Sequence, residues 1–339
     1  DTPITDVFTY TVEDGDGDQT TATLTITVND GAGPTTDHSQ GSPVELAVDE
    51  EGLDTSEATG SAEDTSDGDE ESTAERDTGT VTFTAGSDDI AAADIVFDTS
   101  TDGLNAITTD FDGIAGPDIV WSAPSSTQII GTIGSITAIT LDLVQPVATI
   151  AAGADGNATI NVTLSDNFPH PDGADENTIT LSNITVTATD TDGSAVTAYA
   201  TVTVTDDVPT AVNDSDSVIE GETATGNVLT GGPDAVDSNT TDGEADTSGA
   251  DGWVSTGGVV GVTHPANASS DVTDGFEIVG THGTLELAAD GTYTYTPNNN
   301  VDQDTNDDGV IDGVDTPITD VFTYTVEDGD GDQTTATLT

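Results

Sequence analysis

NITVTATDTDGSAVTAYATVTVTD, residues 183–206, alternates apolar and polar side chains on both flanks of a central Asp-Gly pair. Ile184, Val186 and Ala188 fall on one face, and Thr185 and Thr187 on the other. A period of two predicts half-buried strands, and Asp-Gly between two such runs is favoured hairpin-turn chemistry. The same alternation predicts strands at 44–48, 81–84, 95–97, 129–133, 136–143, 158–164, 179–189 and 195–204. That spacing of short strands predicts a β-sandwich. Trp121, in DIVWSAP, is expected to pack in its core. Residues 50–79, EEGLDTSEATGSAEDTSDGDEESTAERDTG, carry almost no apolar side chain and read as one long acidic loop, ordered only if it ligates cations.

Further along, FEIVGTHGTLELAADGTYTYTPNNN, residues 276–300, predicts three strands joined by tight turns at 281–283 and at Asp290-Gly291, with Leu285, Leu287, Tyr293 and Tyr295 in period two. Then comes VFTYTVEDGDGDQTTATLT, a hairpin. It lies inside a 25-residue segment, 315–339, that repeats residues 1–25 letter for letter. Selection for a fold would keep the apolar pattern but scatter the surface Thr, Asp and Gln residues, so identity at every position marks a recent tandem duplication. The chain therefore reads as slightly more than one 314-residue period (315 − 1) of a longer repetitive protein. Linkers TVNDGAGPTTDHS and TVTDDVPTAVNDS place breaks near Asp30 and Asp207. Residues 1–30 are then the closing strands of a preceding repeat, 31–206 a second kind of domain, and 207–339 another copy of the first kind with its last strand truncated. The expected fold class is all-β, tandem β-sandwiches arranged end to end.

Composition limits the chemistry. The chain has 66 Asp and Glu residues against one basic residue, Arg76, and a formal net charge of −65. Carboxylates at that density repel one another unless screened by salt or neutralised by bound cations. Nucleic acid and anionic membranes carry charge of the same sign and are excluded as partners, and no apolar run is long enough to insert into a bilayer. No cysteine is present, which removes disulfides and thiolate metal sites, and 4 His leave little for zinc or haem. Oxygen ligands rich in Asp and Asn select hard cations, and calcium at millimolar concentration is an extracellular resource. Ca2+ and an extracellular location follow as expectations.

Residues 212–339, with VNDSDSVIEGETATGNVL, GTLELAADGTYTYTPN and DVFTYTVEDGDGDQTTATL, resemble the VCBS or cadherin-like repeats of giant bacterial adhesins of the Bap type. The middle segment, with VDEEGLD near its start and ENTITLSNITVTATDTDGSAVTAYATVTVTDDVP at its end, resembles a repeat of very large type I-secreted, RTX-type surface proteins. These resemblances imply immunoglobulin- or cadherin-like sandwiches, export by a type I system, extracellular calcium binding, a place on the cell surface or in a secreted matrix or filament, and a role in attachment or biofilm. They imply no catalysis.

The sharpest metal motif is DTNDDGVIDGVD, residues 304–315. Oxygen ligands fall at positions 1, 3, 5, 9 and 12 (Asp304, Asn306, Asp308, Asp312, Asp315), a glycine at position 6, and Val310 at 7, where a backbone carbonyl serves. This is EF-hand loop spacing, resembling the dockerin variant in ending on Asp. No helical pattern flanks it, so a structural calcium site is expected rather than a sensor. EDGDGDQ offers Asp14, Asp16 and Asp18, and again Asp328, Asp330 and Asp332; DTDGS offers Asp190 and Asp192. Asp-Gly turns need no metal to form, although three carboxylates on one turn repel. In the linker, Asp206, Asp207, Asn213 and Asp214 match the junctional calcium sites that the cadherin-like resemblance implies, against the alternative of plain solvated residues. NFPHPDGADEN, 167–177, reads either as an ion- or sugar-ligating loop or as a turn.

No catalytic constellation emerges. With 66 carboxylates proximity carries no information, the four histidines lie in separate segments, and neither a GxSxG motif nor a lysine occurs. The expected function is a structural extender of a secreted adhesin or extracellular filament, stiffened by calcium, whose partners are neighbouring repeats of the same chain or identical chains. Surface glycans or other cells would be met through regions beyond this stretch. The alternatives are a carbohydrate- or cell-surface-binding module, and a self-assembling fibre subunit joined by strand exchange.

Overall fold

The computed structural model describes residues 3–29, 31–53, 75–109, 119–170, 177–231, 245–265, 267–269, 275–299 and 318–339. The chain is all-β. Near its start, a two-stranded hairpin pairs Ile4–Glu13 with Gln19–Val28, and every described position in it is exposed.

Two sheets then enclose one core. The first runs in the order Thr35–Thr36, Arg76–Thr84, Asp155–Leu164, Ile136–Val144, Gln128–Ile133, Ile119–Ser125; the second runs Val44–Asp49, Ala195–Thr205, Thr178–Asp190, Ile90–Phe97. Phe83, Ile139, Leu141 and Ile160 of the first sheet share a buried cluster with Leu46, Phe97, Leu181 and Val202 of the second. Trp121 packs partly buried against that cluster.

Thr178–Asp190, at 13 residues, is long enough to lose its phase, and it resets. Ile179 and Leu181 point inward at odd positions, whereas Ile184, Val186 and Ala188 point inward at even ones. The shift is a bulge between Leu181 and Ile184, with Asn183 at φ 63°. Asparagine tolerates that left-handed conformation, and its side chain is held by Thr108 Oγ1 and Gln40 Nε2, each at 3.2 Å. The acidic stretch 50–79 is shorter as a loop than expected. Glu50–Gly52 is a 3₁₀ turn, and residues 76–79 extend a strand by pairing with 160–163. Residues 54–74 lie outside the described residues.

A second core joins two four-stranded sheets. One orders Ala224–Asn227, Thr292–Pro297, Gly283–Leu287, Phe276–Val279; the other orders Asn267–Ser269, Val259–His264, Phe322–Glu327, Gln333–Leu338. Leu285, Leu287 and Phe276 meet Phe322, Tyr324 and Val326 within it. The turn expected at Asp290-Gly291 forms with Gly291 at φ 83°, where a Cβ would stand 2.6 Å from Asn227 Oδ1. Among the described residues, no helix is long and apolar enough to cross a membrane.

Candidate metal centre

The site begins with a parallel pairing. Val44–Asp49 lies alongside Ala195–Thr205 with Asp49 opposite Thr205, so the next residue of each strand, Glu50 and Asp206, leaves the sheet side by side. Asp49 caps the turn that follows by accepting the Glu51 N–H at 3.0 Å, which turns Glu50 inward. Glu50 has no exposed surface and Asp206 has 2%. His170, also buried, comes from the segment after Asp155–Leu164.

Hydrogen bonds fix the state of that imidazole. Asn177 Nδ2 donates to Asp206 Oδ2 at 2.7 Å, which leaves Asn177 Oδ1 facing His170 Nδ1 at 3.0 Å. A carbonyl oxygen accepts, so Nδ1 carries the proton. Burial lowers the His170 pKa and keeps the ring neutral. Its Nε2 lone pair therefore points into the protein, 3.9 Å from Glu50 Oε1.

The opposite wall comes from the following unit. The turn of the hairpin Phe322–Glu327/Gln333–Leu338 is organised by Asp328 Oδ1, which accepts the N–H groups of Gly331 at 3.0 Å and Asp332 at 2.8 Å. Ligand oxygens of Asp330 and Asp332 then lie within 4.8 Å of one another and of one from Asp206. A bridge from Trp253 to Asp328 brings up the neighbouring loop, and Asp251 Oδ1 accepts from Asn167 Nδ2 at 2.8 Å across the junction.

Six carboxylates, Glu50 and Asp206 from one unit and Asp251, Asp328, Asp330 and Asp332 from the other, thus converge in a region without a basic side chain, since Arg76 pairs with Glu75 at 3.3 Å. The electrostatic consequence is large. Burial, then the charge of Asp251, pushes Glu50 up to about 10; burial, then Asp330, pushes Asp206 to about 9. Burial and Asp330 raise Asp328 to about 8, and burial raises Asp251 to about 6 despite the Asn167 bond. Glu50 Oε2, Asp206 Oδ1, Asp328 Oδ2 and Asp251 Oδ2 are buried and make no hydrogen bond. Buried anionic oxygens with neither donors nor counter-charge are costly alone and are the donor set a hard divalent cation takes. The donor set fits a hard divalent cation such as calcium, for which Asp206, Asp330 and Asp332 would supply oxygen ligands. The Glu50–His170 side adds a nitrogen donor.

The other sequence candidates are placed differently. Asp14, Asp16 and Asp18 gather their carboxylates on an exposed turn, but one Asp14 oxygen already accepts the N–H groups of Asp16, Gly17 and Asp18. Asp190 and Asp192 form a group with Asp88, in which Asp190 Oδ1 holds Gly193 and Ser194 while burial raises its pKa. Asp207 accepts Ala250 N–H at 2.9 Å and adds its charge to Glu50 and Asp251. Asn213 and Asp214 bind the two strands of the last hairpin: Asn213 Oδ1 accepts Thr337 N–H at 2.9 Å, and Asp214 Oδ2 accepts the Tyr324 hydroxyl at 2.8 Å. Asp304, Asn306, Asp308, Val310, Asp312 and Asp315 lie outside the described residues. Sequence reasoning missed Glu50, Asp251 and the role of His170, whose one visible signal was the ion-ligating alternative for 167–177.

No family model matches the chain, and no curated protein matches it. Among solved structures, the zebrafish RET cadherin-like domains 1 to 4 align over 98% of this chain and 58% of theirs, at 11% identity and TM-score 0.24. The human desmocollin-1 ectodomain aligns over 99% and 64%, at 11% identity and TM-score 0.22. A tetra-tandem repeat from the extending region of a large adhesion protein aligns over 99% and 80%, at 14% identity and TM-score 0.20. The chain spans less than two thirds of the first two. At these scores the likeness carries no argument, and function has to be read from the junction itself.

Proposed function

We propose that this chain is an extender segment of an extracellular adhesion protein, in which calcium bound between successive sandwiches fixes one against the next. The observation that carries this reading is the burial of carboxylates from both units around the same point, with oxygens that make no hydrogen bond. An ion held by Asp206 on one side and by Asp330 and Asp332 on the other links the units and offsets the repulsion that otherwise drives them apart. The type I-exported, RTX-type and biofilm-matrix setting is part of the same proposal and rests on the repeat motifs alone. Low cytosolic calcium would keep such a chain unfolded for export, and extracellular calcium would fold it outside. Catalysis has no place in the reading.

The test is a calcium titration of the full chain at fixed ionic strength, following thermal unfolding and the spread of inter-unit distances by paired spin labels. Calcium is expected to raise the melting temperature and narrow the distances. Asp330→Asn with Asp332→Asn should abolish both effects, while Asp16→Asn with Asp18→Asn at the matching positions of the exposed copy should not. Equal behaviour in chelator and in calcium would refute the proposal and leave the acidity as a response to bulk salt.

A further inference from the structure

Three segments deliver one side chain each to the same buried point of the middle sandwich. Val48, Val204 and Phe168 lie in its hydrophobic core at 2%, 0% and 1% exposure, and Glu50, Asp206 and His170 each follow two residues later. The register Val204↔Val48 and Thr205↔Asp49 carries Glu50 and Asp206 out of the sheet together, while the Phe168 N–H donates to Glu50 Oε1 and ties the third segment to the first. One ligand atom from each of the three side chains lies within 4.8 Å of the other two. The cluster is lined by acceptors without donors. His170 Nε2, Glu50 Oε2 and Asp206 Oδ1 are buried and make no hydrogen bond. With Nδ1 protonated against Asn177 Oδ1, Nε2 presents its lone pair 3.9 Å from Glu50 Oε1, beyond hydrogen-bond length. A proton shared between those two atoms does not close that gap. A metal ion does, because bonds of about 2.0–2.2 Å to nitrogen and to carboxylate oxygen together reach roughly 4.2 Å.

We infer that Glu50, His170 and Asp206 form a second metal site, enclosed within the middle sandwich, that takes a zinc-class divalent ion through the His170 Nε2 nitrogen. The donor set separates this site from the calcium reading. Calcium takes oxygen ligands, whereas imidazole beside carboxylates suits zinc and its neighbours among the transition metals. Four histidines are few, but a nitrogen from one of them and oxygens from two carboxylates make three protein ligands, as in zinc sites that keep one open position. The surroundings of the ring are those of a bound imidazole. Its Nδ1–H is held by Asn177 Oδ1, and Asn177 is itself fixed to Asp206, through Nδ2 to Oδ2 at 2.7 Å and through its carbonyl to the Asp206 N–H at 2.9 Å. All three ligands belong to the middle unit, so the site does not depend on Asp330 or Asp332. Asp206 is common to both groups, and zinc inside the sandwich would share that carboxylate with calcium at the junction.

The experiment adds Zn2+ to the full chain in millimolar calcium and magnesium at fixed ionic strength, so that the remaining carboxylates are already occupied. Isotope-labelled histidine nitrogens are followed by NMR, and affinity is measured by competition with a zinc indicator that ignores calcium. One imidazole of the four is expected to respond, its Nε2 resonance displaced and its Nδ1 proton retained. Replacing His38, His264 and His282 together with Gln leaves His170 as the only ring and assigns the signal. His170→Gln and Glu50→Gln should each weaken zinc by about 100-fold or more. Asp330→Asn with Asp332→Asn should leave zinc affinity within a few fold, even where it removes the calcium response, so the two readings fail separately. Melting in chelator checks that each variant is folded, and the NMR response of the unsubstituted chain needs no variant at His170 or Glu50. Zinc displaced by millimolar calcium, a response at another histidine in place of His170, no histidine response, or unchanged affinity in folded His170→Gln would each overturn the inference.

Discussion

Replacing Asp206 with asparagine should act in opposite directions with and without calcium. The amide side chain keeps an oxygen for the Asn177 Nδ2 group and nearly the same volume, but it loses the charge. In chelator at pH 7, burial and the field of Asp330 hold the Asp206 carboxyl at about 9 against an ordinary 3.8. Folding at neutral pH then requires protonating a group that is ionised when unfolded, across about three pKa units at ~1.4 kcal/mol each. The ceiling is about 4 kcal/mol, and the neutral amide removes that cost, so the ion-free variant should be more stable by about 1–4 kcal/mol. With calcium, the same substitution deletes one of the charged ligands of the proposed junction site, and affinity should fall by at least the 10- to 100-fold typical of a disturbed metal shell. Urea unfolding followed by the emission of Trp121 and Trp253, in chelator and in saturating calcium at equal ionic strength, reads both signs. Destabilisation of similar size in both buffers would refute the idea that like-charge crowding at this point is relieved by an ion.

The pH dependence follows from the same groups. The folded-state pKa values of Glu50, Asp206 and Asp328 are raised to about 10, 9 and 8, so their contribution is fully present below about pH 4 and is lost as pH climbs through those values. In chelator the melting temperature should therefore fall steadily from pH 5 to pH 9, and saturating calcium should flatten the curve; a rise with pH in chelator would contradict the assignment. Tyr324→Phe removes a buried hydroxyl bonded to Val212 O, Asp214 and Asp246, and should cost about 1–3 kcal/mol in chemical denaturation. Asp304→Ala with Asp308→Ala should lower the calcium stoichiometry measured by calorimetry by one ion while leaving the junction's response intact.

Strand existence was legible because period-two alternation is a local property, and residues 183–206 display it on both sides of their Asp-Gly turn. The reset at Asn183 was not, since a bulge shows in sequence only as a polar residue at a position where either phase is acceptable. Strand Ile119–Ser125 was hidden by Pro124, which signals a turn locally but is tolerated here because the strand lies at the edge of its sheet. The junction divides the same way. Asp206, Asp330 and Asp332 stood out as linker and turn acids, whereas Glu50, His170 and Asp251 come from segments far apart in the chain and meet only through the parallel pairing and the hairpin turn. No spacing rule links such residues. The two copies of the turn make the limit concrete: side-chain and backbone hydrogen bonds lower the Asp14 pKa, while burial raises that of the identical Asp328.

The parallel pairing that brings Glu50 beside Asp206 also decides how the middle unit meets tension. A pull applied through the neighbouring segments draws Val44–Asp49 by its amino end and Ala195–Thr205 by its carboxyl end. In parallel strands those ends lie at opposite ends of the pair. The six register pairs from Ala200↔Val44 to Thr205↔Asp49 are then sheared together, across their hydrogen bonds, rather than opened one at a time. The carboxy-terminal unit repeats the device in miniature, with Asp214 parallel to Leu338 and bonded to Thr337 and Thr339 at 2.7 and 3.1 Å. In an anchored, stretched chain the middle unit would thus be loaded in shear along its parallel strand pair, and the last sandwich along the single parallel bridge at Asp214.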